Sequence, residues 1–156
     1  MSLKAHVSQD MLDRQSNIEI AYINARLVNN KVQCIWWYKP NDPRNVCKML
    51  PGKPQTKNRG LLFALRELLK SIRKKFQTIY IDEQPALLIV KTDSSYIDDG
   101  VSTYRFKWRQ QSWTNKKGKK IKNSIFWQSV NNELTLLEKD KLDVNIERHS
   151  FKFSFF

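Results

Sequence analysis

The chain has 156 residues, 40% of them hydrophobic, which suits one domain with a sizeable core. It carries 28 Lys and Arg against 15 Asp and Glu, so its formal net charge is +13. This excess favours a polyanionic partner, nucleic acid before an anionic membrane surface. Cys34 and Cys47 are the only cysteines and lack metal-binding spacing, which argues against a disulfide scaffold or a zinc site.

Residues 1–17 are polar and aperiodic, and we interpret them as a disordered arm before the domain. No apolar run reaches the ~18 residues of a membrane span, and the arm lacks the apolar stretch of a secretory signal. Asp10 and Asp13 also fit a mitochondrial presequence poorly, because such segments are acid-poor. We therefore expect an intracellular protein without a membrane partner, with cytoplasm and nucleus unresolved.

The first half of the chain predicts three strands and a long helix. Strands are predicted at Ile18–Asn24, Val32–Tyr38 and Asn45–Leu50, with a turn at Asn29-Asn30. Alternation places Ile18, Ile20 and Tyr22 on one face of the first strand. A helix begins after Thr56, a suitable N-cap, and runs to about Lys75 with leucines at helical spacing.

The second half predicts two further strands separated by helices. The apolar run Ala86–Val90 is typical of a strand buried on both faces. Helices are predicted at Ser95–Gly100, closed by Gly100, then at Tyr104–Trp113 and Lys122–Glu138, before a last strand at Leu142–Ile146. This order predicts an α/β fold: a mixed five-stranded sheet, three antiparallel strands then two parallel, with helices on both faces. The domain spans residues 18–150, and an apolar tail spans residues 151–156.

Several motifs, in order, resemble the type I ribonuclease H family. The stretch Leu50–Leu69 reads LPGKPQTKNRGLLFALRELL, where the family reads roughly LPG-x-QTN-x-RAEL. Other matching segments are NDPRNV from Asn41, Thr92-Asp93-Ser94 with Tyr96, Lys107-Trp108 to Trp113, and His149-Ser150. The resemblance covers roughly residues 18–150 and implies the ribonuclease H-like fold, with its last helix missing.

The resemblance also implies a catalytic site that this chain has largely lost. The family hydrolyses the RNA strand of RNA–DNA hybrids with two Mg²⁺ ions, which require several anionic oxygens. Of its four carboxylates, we assign the first to Asn24, the second to Gly60 and the third to Asp93; the chain ends at Phe156 before any fourth. We therefore expect an inactive protein without a cofactor, and Asp93 as a metal ligand at most.

Two retained catalytic positions have simpler interpretations. Asp93 follows a predicted strand, so we favour a helix N-cap over a working metal ligand. His149 corresponds to the family's loop histidine, but Arg148 and Phe151 replace the glycines that surround it. A plain surface histidine is an equal interpretation.

Nucleic-acid-binding features are better retained. The segment 105–122, which we call the basic protrusion, holds eight Lys or Arg and no Asp or Glu. Binding candidates in it are Lys107, Trp108, Trp113, Lys116, Lys117, Lys119 and Lys120, with phosphate attraction from the lysines and aromatic contact from the tryptophans. For the tryptophans, helix packing is the alternative, and for Trp127 we prefer it outright.

Three further residues match the family's binding surface. Thr56 and Asn123 match its DNA-phosphate pocket, and Asn58 matches a base-contacting amide. Lys57 departs from the motif, and Asp99 replaces an Asn that contacts the hybrid.

Three functions stay open at this point. The first is a catalytically inactive ribonuclease H-like module that binds RNA–DNA hybrid or other nucleic acid. The second is a protein-interaction or structural module within a larger assembly, because the tail Phe151–Phe156 offers aromatic residues for a protein partner or self-association. The third is a diverged or truncated ribonuclease with residual activity.

Overall fold

The computed structural model describes residues 17–79, 84–151 and 155. The predicted arm, apart from Asn17, and most of the apolar tail lie outside these residues. Within them, none of the helices combines the length and apolarity needed to cross a membrane.

The predicted five-stranded sheet is confirmed. Its strands are β1 (Ile18–Val28), β2 (Lys31–Trp37), β3 (Val46–Met49), β4 (Leu87–Thr92) and β5 (Asp143–Arg148). The order is β3-β2-β1-β4-β5, with β1, β2 and β3 antiparallel and β4 parallel to both β1 and β5. Asn29 and Asn30 have φ of 51° and 62°, as the tight primed turn between β1 and β2 requires.

The helices are α1 (Lys57–Phe76), α2 (Ser95–Asp99), α3 (Arg105–Gln110) and α4 (Ser124–Lys139). A π-helical turn, Gly100–Tyr104, joins α2 directly to α3. The prediction that Gly100 closes a helix is therefore wrong, since its φ of −64° continues the helix. Gly100 serves close packing instead, because an added Cβ would lie 2.1 Å from Cη2 of Trp127.

One sheet face carries the main core. Ala21, Ile23 and Ala25 of β1 point into it together with the buried face of α1, which covers β1 and β2. Alternation in β1 is confirmed, but Ile18 and Ile20 belong to the other face and are 45% and 41% exposed. β4 also alternates between buried and half-buried residues, so the prediction of a strand buried on both faces is wrong.

A smaller aromatic cluster covers part of the second sheet face. Ile35 and Trp37 of β2 are buried there beneath Phe155, with Tyr22 and Phe151 at the margin. Phe155 is 4% exposed, and its ring centroid lies 5.5 Å from that of Trp37. Residues of β1 and β2 together with Phe151 and Phe155 thus form the cluster on this face.

The two long helices run parallel beside each other. Near their beginnings, the Arg59 guanidinium lies 4.8 Å from the centroid of the Phe126 ring. Farther along both helices, Arg73 donates to the Glu133 carboxylate at 2.7 Å. Because the contacts advance in the same direction, the N-termini of α1 and α4 lie at the same end of the molecule.

Candidate nucleic-acid interface

The turn before α1 is fixed by two side chains. The Gln55 amide donates to the carbonyl oxygens of Leu50 and Gly52 at 2.9 and 2.7 Å, and its oxygen accepts from the Val32 N–H at 2.8 Å. Arg59 donates from the first turn of α1 to the Pro51 carbonyl at 2.9 Å. These bonds hold the start of α1 against β2. The LPGKPQT segment therefore has a structural role in this chain, which is to fix the position of α1.

Thr56 and Asn123 occupy the N-caps of the two neighbouring helices. The Thr56 hydroxyl accepts from the Arg59 N–H at 3.3 Å, which confirms it as an N-cap. Asn123 adopts φ of 60° before α4, and its amide donates to the Tyr96 hydroxyl at 3.1 Å. Helix N-termini favour anions through their free N–H groups and dipoles, and here two such ends lie on one side.

Tyr96 connects this region to the core. Its hydroxyl also accepts from Trp127 Nε1 at 2.8 Å, and Trp127 is fully buried. The preference for Trp127 as a core residue is confirmed. Sequence reasoning did not find the link between Tyr96 and Asn123, because the two residues lie 27 positions apart.

Asn24 of β1 and Asp93, which follows β4, lie toward the same end of two paired parallel strands. The parallel register pairs Tyr22 with Lys91, so Asp93 follows β4 at the level of Asn24. Asp93 is exposed and Asn24 half-buried. The interpretation of Asp93 as an N-cap is wrong, because the Ser94 hydroxyl accepts from the Ile97 N–H and caps α2.

Gly60 is buried and faces the main core. A Cβ there would lie 2.5 Å from Cγ1 of Val32 and 3.2 Å from Cβ of Ala25. Counting the family motif from Thr56 and Arg59 places its Glu at Leu61, one residue after our assignment. Leu61 is 1% exposed, so neither position offers a carboxylate or room for one.

The remaining residues do not fit a pair of magnesium ions. Asn24 supplies an uncharged amide, and no group of three or more His, Cys, Asp or Glu among the described residues is arranged to hold a metal. His149 is exposed, and its ring lies 6.4 Å from that of Tyr22 and 5.9 Å from that of Phe151.

The basic protrusion is an ordered helix and hairpin. After α3, the chain turns back through a bridge between Thr114 and Lys120. The Asn115 carboxamide oxygen accepts from the N–H groups of Lys117 and Lys119 at 2.9 and 3.0 Å. Because the backbone is fixed in this way, the exposed lysines project from a preformed loop; these are Lys116, Lys117, Lys119 and Lys120.

Arg105 is the exception among the cations of the protrusion. It is 6% exposed and donates to the Val101 carbonyl at 2.7 Å and to Asn131 Oδ1 at 3.0 Å. Burial lowers the pKa of its guanidinium, and Glu138 opposes that effect. Of eight cations in the segment, seven are therefore exposed, Lys107 among them.

The two tryptophans of the protrusion are half-buried against the core. The Trp108 ring stacks on Tyr104 with centroids 5.6 Å apart and packs on Trp127 at 5.3 Å. Trp113 adopts φ of 61°, and its N–H donates to the Trp108 carbonyl at 2.7 Å. Both rings thus have a packing role, and their contact with nucleic acid stays a prediction, as does that of the exposed Asn58 in the first turn of α1.

The sequence profile of the RNase H family matches residues 24–147, and the chain belongs to that family. A ribonuclease H of Treponema denticola is 29% identical over 122 residues, covering 73% of this chain and 76% of the relative. Ribonuclease HI of Haemophilus influenzae is 28% identical over 94 residues, covering 60% of this chain and 47% of the relative. The chain thus spans about half the length of the second relative.

Solved structures show the same fold. A type 1 RNase H with the type 2 active-site motif, LC9-RNase H1, superposes with a TM-score of 0.61 at 21% identity, covering 87% of this chain and 64% of that chain. A foamy viral protease-reverse transcriptase in complex with RNA/DNA hybrid superposes at 0.55 and 16% identity, covering 90% of this chain and 18% of that chain. At these identities, the likeness concerns the fold alone.

Proposed function

We propose that this chain is a catalytically inactive ribonuclease H-like module that binds RNA–DNA hybrid or another nucleic acid through the basic protrusion. The protrusion itself carries the proposal: seven exposed cations, no acidic residue, and a backbone fixed by Asn115. Preformed cationic loops bind phosphates without first ordering a flexible chain. A relative of the same fold was solved in complex with RNA/DNA hybrid, which agrees with this class of ligand.

Loss of activity follows from the positions around Asn24. Of the catalytic positions assigned within residues 24–93, only Asp93 carries a carboxylate, while Gly60 and Leu61 are packed into the core. Two Mg²⁺ ions held a few ångströms apart need several anionic ligands to offset their charge. The chain therefore keeps a surface for a polyanion and lacks the means to activate water on it.

The decisive experiment removes the four loop lysines together. Replacing Lys116, Lys117, Lys119 and Lys120 by Ala should weaken binding to every sequence and flatten the salt dependence, since each neutralised phosphate contributes ~0.9 to the slope of log affinity against log salt. Hybrid, duplex DNA and duplex RNA are titrated at several salt concentrations. A matched control replaces four exposed lysines elsewhere: Lys31, Lys39, Lys74 and Lys139. Equal binding by the loop variant and the control would reject the protrusion as the site.

A second test separates phosphate recognition from helix capping at Thr56. Thr56→Asp keeps an N-cap acceptor but places a negative charge at the helix start. Thr56→Ser keeps both the N-cap acceptor and an uncharged hydroxyl group. We expect the Asp variant to lose its preference for duplexes that contain a DNA strand and to retain its melting temperature. Unchanged preference in the Asp variant would remove Thr56 from the interface.

The contribution of Trp108 is tested by a change that preserves apolar packing. Trp108→Leu keeps a contact with Trp127 and removes the aromatic face. If bases stack on the ring, affinity falls by ~1–3 kcal/mol with little change in the salt slope. An unchanged affinity would leave Trp108 with its packing role alone.

A protein-interaction module is the second candidate function, because the second sheet face leaves apolar residues exposed. Ile18, Ile20 and Met49 are 45%, 41% and 42% exposed there. If the loop variant binds nucleic acid as well as the parent protein, this candidate becomes the leading one.

A further inference from the structure

A pocket of about 690 Å³ lies between the sheet and the last turns of α1, at the opposite end of that helix from Thr56. Small-molecule sites usually have volumes of ~300–1,000 Å³. Near Gly60 the helix lies so close to the sheet that a Cβ would meet Val32 at 2.5 Å. Toward Phe76, the large rings of Trp36 and Tyr38 stand between helix and sheet, and a space remains.

The inner wall of this distal pocket is apolar with two hydroxyl groups. Trp36, Ile72 and Phe76 line it and are 8%, 7% and 7% exposed. Tyr38 and Ser71 line it as well, and burial raises the pKa of Tyr38 to about 12, so its hydroxyl keeps its proton at neutral pH. The Ser71 hydroxyl already donates to the Leu68 carbonyl oxygen at 2.7 Å, so the inner wall mainly suits an apolar body.

Part of the charge around the pocket is already compensated. Arg44 lies over the Tyr38 ring, donates twice to Asp42 at 3.0 and 2.9 Å, and pairs with Glu19. Glu67 lies 3.8 Å from the ammonium group of Lys70. These ion pairs compensate Arg44 on the sheet side of the pocket and Lys70 on α1.

Two lysines near the end of α1 are not compensated by any acidic residue among those the structure describes. Lys74 and Lys75 line the pocket and are exposed, and neither forms an ion pair within the described part of the chain. The positive charge at the mouth of the pocket therefore lies on one side, above an apolar interior. Such a gradient orients a molecule that has an anionic end and an apolar body.

We propose that the distal pocket binds a small amphipathic anion, an apolar or aromatic body carrying one carboxylate or phosphate group. The body lies against Trp36 and Phe76, and the anionic group faces Lys74 and Lys75. This site is separate from the basic protrusion, so it does not depend on the proposed nucleic-acid binding.

The test uses the fluorescent anion 8-anilinonaphthalene-1-sulfonate on the full chain, with decanoate and adenosine 5′-monophosphate as competitors. Saturable binding of one dye per chain is expected. Lys74→Glu with Lys75→Glu should weaken it at least tenfold, and so should Ser71→Phe, which fills the pocket from an exposed helix position. Lys139→Glu with Lys141→Glu reverses the same charge at the end of α4 and should bind as the parent does.

The competitors identify the natural class of ligand. Displacement by decanoate indicates an aliphatic acid, and displacement by the nucleotide indicates a phosphorylated aromatic; displacement by neither overturns the proposal. It is also overturned if the native chain shows no saturable binding, if Ser71→Phe binds equally well, or if both lysine pairs have the same effect. The variant lacking the four loop lysines should retain dye binding. The result for the distal pocket can therefore be told apart from a failure of the proposed nucleic-acid binding.

Discussion

Single glycines decide how closely the helices approach their neighbours. At Gly100 an added Cβ would lie 2.1 Å from Trp127, and at Gly60 it would lie 2.5 Å from Val32. Propensity alone favours Ala over Gly within a helix by ~1 kcal/mol. Packing reverses that preference here, because a fully buried indole and a buried valine have nowhere to move.

We predict that Gly100→Ala and Gly60→Ala each lower the free energy of unfolding by ~1–3 kcal/mol, the usual range for overpacking. Chemical denaturation of each variant measures the effect. Ser102→Ala, at an exposed position in the same helical segment, is the control and should change stability by less than ~0.5 kcal/mol. Stabilisation of the Gly100 variant would show that Trp127 is mobile.

Asp42 gives the stability of the chain an acid-dependent component. Hydrogen bonds from Arg44 lower the pKa of the buried Asp42 carboxyl to about 2, below its usual 3.8. A carboxyl with a lowered pKa stabilises the folded state above its unfolded pKa, and this contribution is lost as the pH falls toward 2.

We expect Asp42→Asn to cost about 2 kcal/mol at pH 7 and almost nothing near pH 2. Denaturation midpoints of parent and variant at both pH values test this. Asp143→Asn at an exposed position serves as the control. A difference that does not depend on pH would mean that Asp42 acts through packing rather than charge.

At the scale of elements, Phe151 and Phe155 cover part of the second sheet face. Phe155 is buried against Trp37 and Ile35, and Phe151 extends the contact toward Tyr22. From the sequence we expect the tail to serve a protein partner or self-association, whereas the burial of Phe155 supports a role in covering the sheet of its own chain.

We predict that Phe155→Ala lowers stability by about 3 kcal/mol, the cost of emptying an aromatic core position. Deleting residues 151–156 should lower the melting temperature by at least as much as Phe155→Ala does. Ser150→Ala at an exposed position provides the control. If neither change affects melting or the oligomeric state, the segment contributes nothing to the folded chain.

For the whole molecule, we predict no hydrolysis of RNA–DNA hybrid with Mg²⁺ or Mn²⁺. Asn24→Asp with either Gly60→Glu or Leu61→Glu should give weak activity at most and should destabilise the chain, because the new Glu enters an apolar core. Cleavage of labelled hybrid is the measurement. Metal-dependent cleavage by the parent protein that is abolished by Asp93→Ala would contradict the prediction.

Local pattern by itself determined much of this protein. Alternation in β1, leucine spacing in α1 and the Thr56 cap predicted their elements correctly, because they depend on neighbours a few residues away. The positive charge of residues 105–122 could also be read directly from the sequence, whereas its role in binding stays a prediction. The same elements predicted three antiparallel strands followed by two parallel ones.

Only the tertiary structure decided which side chains are exposed for binding and which are used in packing or capping. It buried Arg105, made Gly100 a packing residue rather than a helix end, and moved the cap of α2 from Asp93 to Ser94. It also joined Tyr96 to Asn123 and opened the distal pocket at the far end of α1. Apart from the local Ser94 cap, these features arise from contacts between residues far apart in the chain, such as Arg105 with Asn131 and Tyr96 with Asn123, which spacing along the sequence does not encode.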